Sequence, residues 1–381
     1  MVPFHGHAGA VTVLAGLSFV IWLWLLTMHG RFWSAGPVLQ PQVPARAPAV
    51  AIVVPARDEA PFIARTLRSL LDQDYPGDMR VTLVDDRSTD GTGAIAQGLG
   101  DARLRVVTGA PRPAGWAGKL WAVSQGVAAS GTPEYFFLTD ADIEHAPTHL
   151  SSLVALAERH DLDMVSEMVD LSCDSLAEKT LVPAFVFYFQ LLYPFAWVND
   201  SLSKTAAAAG GTVLIRGRAL ARIGGIETVR GALIDDVALA GAVKAGGRIY
   251  LGHSAQARSI RPYPGFADIW RMVARSAYAQ LRFSRLMLAG TIFAMALVWL
   301  IPPAAALAGH GWTSLLGLAA WAMLTAAYLP TLTRFRRSWW WAMLLPAISL
   351  FYLAATIGSA VNHHRGRGVV WKGRAYAEGT P

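Results

Sequence analysis

Four apolar runs of bilayer-spanning length constrain this chain more than any other feature: Ala8–Met28, Leu286–Leu307, Trp312–Leu332 and Trp339–Val361. As a helix the first, roughly 21 residues, would rise about 31 Å, enough to cross a hydrocarbon core. Arg31 follows that run instead of preceding it, so it reads as an anchor and not as a cleavable signal peptide. Arg31 and Arg46 come after the anchor, and Arg334, Arg336 and Arg337 separate two of the later runs. By the positive-inside rule this basic distribution places the chain beyond the anchor in the cytoplasm. The last run fits that scheme poorly, because a full crossing puts Arg365, Arg367, Lys372 and Arg374 outside; Pro346 leaves a kinked or re-entrant segment open.

Composition agrees with a membrane protein. Hydrophobic residues make up 54% of the chain and charged residues only 15%, where a soluble domain carries about 25%. The 14 tryptophans suit the interfacial belts of a bilayer. A net charge of +7 matches anionic lipid or phosphate, and no segment resembles a nucleic-acid-binding module. Cys173 is the single cysteine, which excludes an internal disulfide framework and a cysteine-based zinc site.

Between the anchor and the later runs the pattern changes. Pro37, Pro41, Pro44 and Pro48 mark a short, stiff linker. Then short apolar strands alternate with helical stretches: Ala49–Val54, the helix Pro61–Leu71, Arg80–Asp85, Leu104–Val107, the helix Trp116–Ala129, and Tyr135–Thr139. This order predicts an α/β fold with an open, mostly parallel sheet, which binds ligands at the carboxyl ends of its strands. A further apolar stretch, Leu181–Val198, contains Pro183 and Pro194 and lies between acidic motifs that a crossing would separate. It reads as an aromatic interfacial segment and not as a span. The expected plan is an anchor over 1–30, a linker over 31–48, and a cytoplasmic catalytic domain over 49–260 that includes 181–198. An interfacial helix over 261–285, membrane helices over 286–362 and a polar tail over 363–381 complete it.

Three acidic clusters fall where that sheet would bind: Asp85–Asp86, Asp140-x-Asp142 and Asp235–Asp236. One such pair can be a solvated turn, but three in this pattern point to a shared crevice. Asp86-x-Ser88-x-Asp90-Gly91 begins like a calcium loop, yet Gln97 stands where the bidentate Glu belongs. Gly91-x-Gly93-x-x-Ala96 starts too far beyond its strand for a dinucleotide fingerprint, and there is no P-loop and no nucleophile elbow.

The segments VVPARDE (Val53–Glu59), VDDRSTDGT (Val84–Thr92), GWAGKLWA (Gly115–Ala122), TDAD (Thr139–Asp142) and GGIETVRGALIDDVAL (Gly224–Leu239) resemble, in order, the inverting family 2 glycosyltransferases. Among these the likeness is greatest to the hopanoid-associated glycosyltransferases, with ceramide and carotenoid-acid glucosyltransferases as relatives. The resemblance implies a GT-A type domain that takes a UDP-sugar donor. Pro55, Arg57, Glu59 and Asp86 would line the base and ribose pocket, and Lys119 and Asp140 would face the donor. Asp140 and Asp142 would hold a divalent metal, Mg²⁺ or Mn²⁺, a role that suits hard carboxylate oxygens. Asp236 would be the catalytic base, with Asp235 standing where many members have Glu. Gly224 and Gly225 either permit close approach to a ligand or form a plain turn.

Processive synthases of this family carry Gln-x-x-Arg-Trp after the base, whereas this chain has Arg275–Ser276–Ala277–Tyr278–Ala279–Gln280–Leu281–Arg282. Arg275 and Arg282 remain candidates for the diphosphate and acceptor region, but the missing tryptophan argues for a single transfer. The expected acceptor is a lipid, a hopanoid or another polyisoprenoid-type alcohol, at the bilayer. A polyprenyl-phosphate or polysaccharide acceptor is the rival within enzymes, and a degenerate membrane scaffold the rival outside them.

Overall fold

Val50–Ala56 (β1) is an apolar, mostly β-branched run, and it is buried along its whole length. The computed structural model describes residues 5–365 together with 370, 371, 374 and 375. The chain divides into an α/β unit, formed chiefly by Gly36–Ser172 and Trp197–Pro262, and a helical unit whose described residues are those up to Ala35, Cys173–Ala196 and 263–365. Of the tail expected over 363–381, residues 366–369, 372–373 and 376–381 lie outside the described residues.

The α/β unit is built on eight strands: β1, β2 (Met79–Asp85), β3 (Leu104–Thr108), β4 (Tyr135–Thr139), β5 (Ile143–His145), β6 (Met164–Asp170), β7 (Thr212–Arg216) and β8 (Ile249–Ser259). Their spatial order is β3-β2-β1-β4-β7-β6-β8-β5. The pairs β1–β2, β2–β3, β1–β4 and β6–β8 are parallel, while β7 runs antiparallel to both neighbours and β5 antiparallel to β8. The chain builds β1, β2 and β3 outward in one direction and then returns to place β4 on the other side of β1. That reversal opens a crevice at the carboxyl ends of β1 and β4.

Helices cover the sheet because their apolar spacing matches it. In Ala60–Leu71, Ile63, Leu67, Leu70 and Leu71 are buried, and Pro61 occupies the first turn, where its missing N–H costs no bond. Phe62, which the spacing alone assigns to the same stripe, is only partly buried and lies under the Arg261 guanidinium instead. The helix expected from Trp116 begins at Gly118, after a turn through Gly115 at φ +80°. Its Gly126 presses so close to β1 that a Cβ there would collide with Val53 Cγ1. Ile52, Val53 and Val54 are fully buried, each contributing about 1.5–3 kcal/mol by the usual burial scale. The proline-rich stretch expected as a linker docks on this unit: the Pro37 carbonyl accepts from His253 N–H, and Leu39 joins the core.

Among the described residues, the helical unit contains four helices long and apolar enough to cross a membrane: Gly9–Met28, Arg285–Ala308, Trp312–Arg334 and Trp339–His364. The second carries a π-turn at Ala296–Leu300 just before Pro302 and Pro303. Neither proline has an N–H, so the Val298 carbonyl loses both its α and its π partner. The Trp22 indole N–H donates to it instead, at 2.8 Å. In the fourth helix Pro346 opens the α-helical part, Leu345–His364, after a 3₁₀ stretch Trp339–Leu344, so it produces no mid-helix kink. Leu176–Leu192, which overlaps the expected interfacial stretch 181–198, is one helix that continues through Pro183 and stops before Pro194. Phe187 and Tyr188 pack on Tyr328, Trp299 and Tyr352 of the same unit.

Candidate active site

The loops at the carboxyl ends of β1 and β2 are tied together by their own polar residues. Asp58 N–H donates to Ser88 Oγ, Asp58 Oδ1 accepts from Thr89 N–H, and Asp90 accepts from Ala60 N–H and from Thr92. Asp58, Arg87 and Gly91 take positive φ values of +49°, +58° and +90° to allow this. Asp90 is therefore a structural clamp, and the resemblance of its loop to a calcium site is superficial. Asp86 is buried, and Arg57 donates to its carbonyl at 2.6 Å while facing its carboxylate at 3.8 Å. Pro55 lies beyond the last register pair of β1 with β4, Val53–Leu138, and lines the neighbouring cavity.

That cavity, about 30 Å³ in volume, lies in the crevice between β1 and β4. Lys119, Asp140, Asp235 and Asp236 come to it from three separate elements. Lys119 sits in the first turn of Gly118–Ala129, Asp140 follows β4, and Asp235–Asp236 open the helix Asp235–Lys244. The Lys119 ammonium lies 2.8 Å from Asp140 Oδ1 and 3.4 Å from Asp235 Oδ2. Burial works against its charge, but Asp140, Asp235 and Asp236 together raise its pKa above the ordinary lysine value.

Asp236 is oriented by two backbone donors. Gly210 N–H reaches its Oδ2 at 2.9 Å and Val237 N–H its Oδ1 at 2.8 Å. Burial, and then the charge of Asp235, push its pKa up to about 6, with Lys119 and the two N–H groups opposing. A carboxylate so placed is mostly ionised at neutral pH and is a stronger base than an ordinary Asp. Asp140 is also raised, first by burial and next, against the opposing charge of Lys119, by Asp142.

The two carboxylates of the TDAD segment part company. Between them Ala141 is buried, and its carbonyl accepts from Thr66 Oγ1 at 2.9 Å. Asp140 turns to Lys119, whereas Asp142 turns to Arg261, whose Nε donates to its Oδ2 at 2.5 Å. The same guanidinium donates through Nη2 to Glu59. Among the described residues no set of three or more His, Cys, Asp or Glu side chains is arranged to hold a metal ion alone. Two neighbouring carboxylates do fit Mg²⁺-type binding, in which one or two acidic side chains are completed by substrate phosphates and water.

Pro55, Lys119, Asp140, Asp235 and Asp236 are thus brought to one cavity, and Arg57, Glu59, Asp86 and Asp142 stand at adjacent strand ends. Gly224 and Gly225 do not line it; with φ of +84° and +76° they turn the chain after the helix Gly217–Arg222. Arg275, in the helix Phe266–Gln280, and Arg282, in the turn after it, belong to the helical unit. Two participants escaped the sequence reading. Gly210 shows only as a Gly–Gly pair before a strand, and Arg261 follows β8 with no motif to flag it.

Comparison with known proteins agrees with this geometry. The sequence model described as "Glycosyl transferase family 2" matches residues 51–224. A 4,4'-diaponeurosporenoate glycosyltransferase of Staphylococcus aureus (strain MRSA252) is 24% identical over 350 residues, 86% of this chain and 88% of the relative. Among solved structures, a mannosyltransferase from Pyrobaculum calidifontis, in complex with GDP-Man and Mn²⁺, superposes with a TM-score of 0.57 at 20% identity. The match covers 94% of this chain and 99% of that one, a likeness of fold. With its GT-A-like sheet, acidic motifs at strand ends and, among the described residues, four helices long and apolar enough to span a membrane, the chain is a glycosyltransferase whose residues 51–224 match the family 2 model.

Proposed function

We propose that this enzyme transfers a sugar from a UDP-sugar to a lipid acceptor, with inversion and in one non-processive step, at the cytoplasmic face of the membrane. The observation that carries the reading is Asp236: a carboxylate held by two backbone N–H groups in a cavity shared with Lys119 and Asp140. The Asp236 carboxylate takes the proton of the acceptor hydroxyl as that oxygen bonds to the anomeric carbon. The bond from that carbon to the diphosphate oxygen breaks on the opposite face, which inverts the configuration. Lys119 places positive charge where the leaving diphosphate gains negative charge. Asp140 and Asp142 would hold Mg²⁺ or Mn²⁺, which when bound neutralises the diphosphate. Arg57, Glu59 and Asp86, at the ends of β1 and β2, are the proposed contacts to the base and ribose.

The lipid acceptor is supported by the four spanning-length helices and by the relative named for 4,4'-diaponeurosporenoate. A hopanoid or another polyisoprenoid-type alcohol is the expected class. The test incubates membranes containing the full chain with a panel of UDP-sugars and lipid extracts and reads products by mass spectrometry. A new glycolipid that disappears in Asp236→Asn is the expected result. Products carrying several added sugars would refute the single transfer, and transfer unchanged by EDTA would refute the metal role of Asp140 and Asp142.

A further inference from the structure

Four carboxylates at this site already have a cation from the chain itself. Lys119 serves Asp140 and Asp235, and Arg261 serves Asp142 and Glu59. The Arg261 arrangement is unusually well built for a residue outside every motif. Its guanidinium gives Nε to Asp142 Oδ2 at 2.5 Å and Nη2 to Glu59, and its Cζ lies 4.8 Å from the centre of the Phe62 ring. The three charged side chains are 25%, 17% and 9% exposed for Arg261, Asp142 and Glu59, so water screens these bonds only in part.

The backbone beside it is fixed. Ile260 N–H donates to the Asp142 carbonyl at 2.9 Å, zipping the end of β8 to the strand end that presents Asp142. Arg261 can therefore leave Asp142 only by rotating its long side chain, without moving the strands. A divalent ion shared between Asp140 and Asp142 would compete with this guanidinium for Asp142, whose Oδ2 it holds. Like charges also repel across so short a distance, so the two cations are alternatives on Asp142.

We propose that Arg261 is a built-in counter-ion for the metal-facing carboxylate: it holds Asp142 and Glu59 in the donor-free enzyme and yields Asp142 to the divalent cation when the nucleotide-sugar arrives. This rests on the metal reading of Asp140 and Asp142 given above. The consequence is ordered loading. Without donor the ion must displace Arg261 unaided and binds weakly. With donor, the diphosphate supplies further oxygens to the ion and a new anionic partner for the released guanidinium.

The test is direct Mn²⁺ binding to the purified full chain in detergent, with and without UDP, for wild type, Arg261→Gln, Arg261→Lys and Asp142→Asn. For Arg261→Gln without UDP the affinity should rise roughly tenfold, the scale of one charge-assisted hydrogen bond removed from competition. UDP should strengthen Mn²⁺ binding much less in this variant than in wild type. Arg261→Lys, which keeps a cation on the carboxylates, should restore the wild-type pattern, and its behaviour decides the matter if the glutamine variant misfolds. Asp142→Asn should lose Mn²⁺ binding. If Asp142→Asn binds like wild type, the metal reading and this proposal fall together. If Asp142→Asn is dead but Arg261→Gln binds Mn²⁺ no better than wild type without UDP, the exchange alone is refuted.

Discussion

Replacing Asp236 by Asn should remove catalysis and, at the same time, stabilise the fold in a pH-dependent way. The native state raises the Asp236 pKa from 3.8 to about 6, so ionising this carboxylate in the folded protein is unfavourable. A rise of this size corresponds to about 3 kcal/mol at most, reduced to about 1–3 kcal/mol because part of the side chain meets water. The sign follows from linkage. With the folded pKa above the unfolded one, the penalty is absent at low pH, grows as pH climbs through the interval between them, and is complete above about 6. Asn has no such penalty, but its amide keeps only one acceptor for the N–H groups of Gly210 and Val237, a loss of about 1 kcal/mol. The advantage of the variant over wild type should therefore grow by about 1 kcal/mol between about pH 5 and pH 8, or roughly 2–4 °C in Tm. Tryptophan-fluorescence melts of the full chain in detergent, run in parallel with the transfer assay, measure both effects. Transfer should fall by a factor of about 100 or more with the loss of a general base. Parallel pH–Tm curves for the two proteins, or undiminished transfer, would refute the reasoning.

Other outcomes follow from the same site. Lys119 lowers the Asp236 pKa, so Lys119→Met should move the acidic limb of the pH–rate profile upward from about 6 as well as slow transfer by roughly tenfold or more; an unmoved limb would separate Lys119 from the base. At Gly210 an added Cβ would stand 3.2 Å from Lys119 Nζ and 3.4 Å from Asp236 Oδ2. Gly210→Ala should accordingly depress kcat while leaving Tm nearly unchanged, checked by kinetics and melts on one preparation. Gly126→Ala is the structural contrast. Its Cβ would collide with Val53 Cγ1 and fall 3.1 Å from Val84 Cγ2, so it should cost about 1–3 kcal/mol by overpacking, seen as a lower Tm.

Two of the acidic motifs were legible in the sequence because each is short and stands at the end of its own apolar strand: Asp85–Asp86 closes β2 and Asp140 follows β4. The helix starts were less so: Gly118 and not Trp116 opens its helix, since Gly115 needs a left-handed turn first. Phe62 shows a deeper limit. Its spacing fits the buried stripe of its helix, yet it serves as the floor under the guanidinium of Arg261, far away in the chain.

From the residues in order, the spanning-length runs, the α/β alternation and the identity of the acidic groups could be read, because hydrophobic period and local turn chemistry act over a few residues. Which cation each carboxylate meets could not. Asp140 and Asp142 are two positions apart, but one faces Lys119 and the other Arg261. That division depends on β7 and β8, whose returns bring Gly210 beside Asp236 and Arg261 beside Asp142. Strand pairings of such long separation are set by the packing of the whole sheet, and only the tertiary structure decides them.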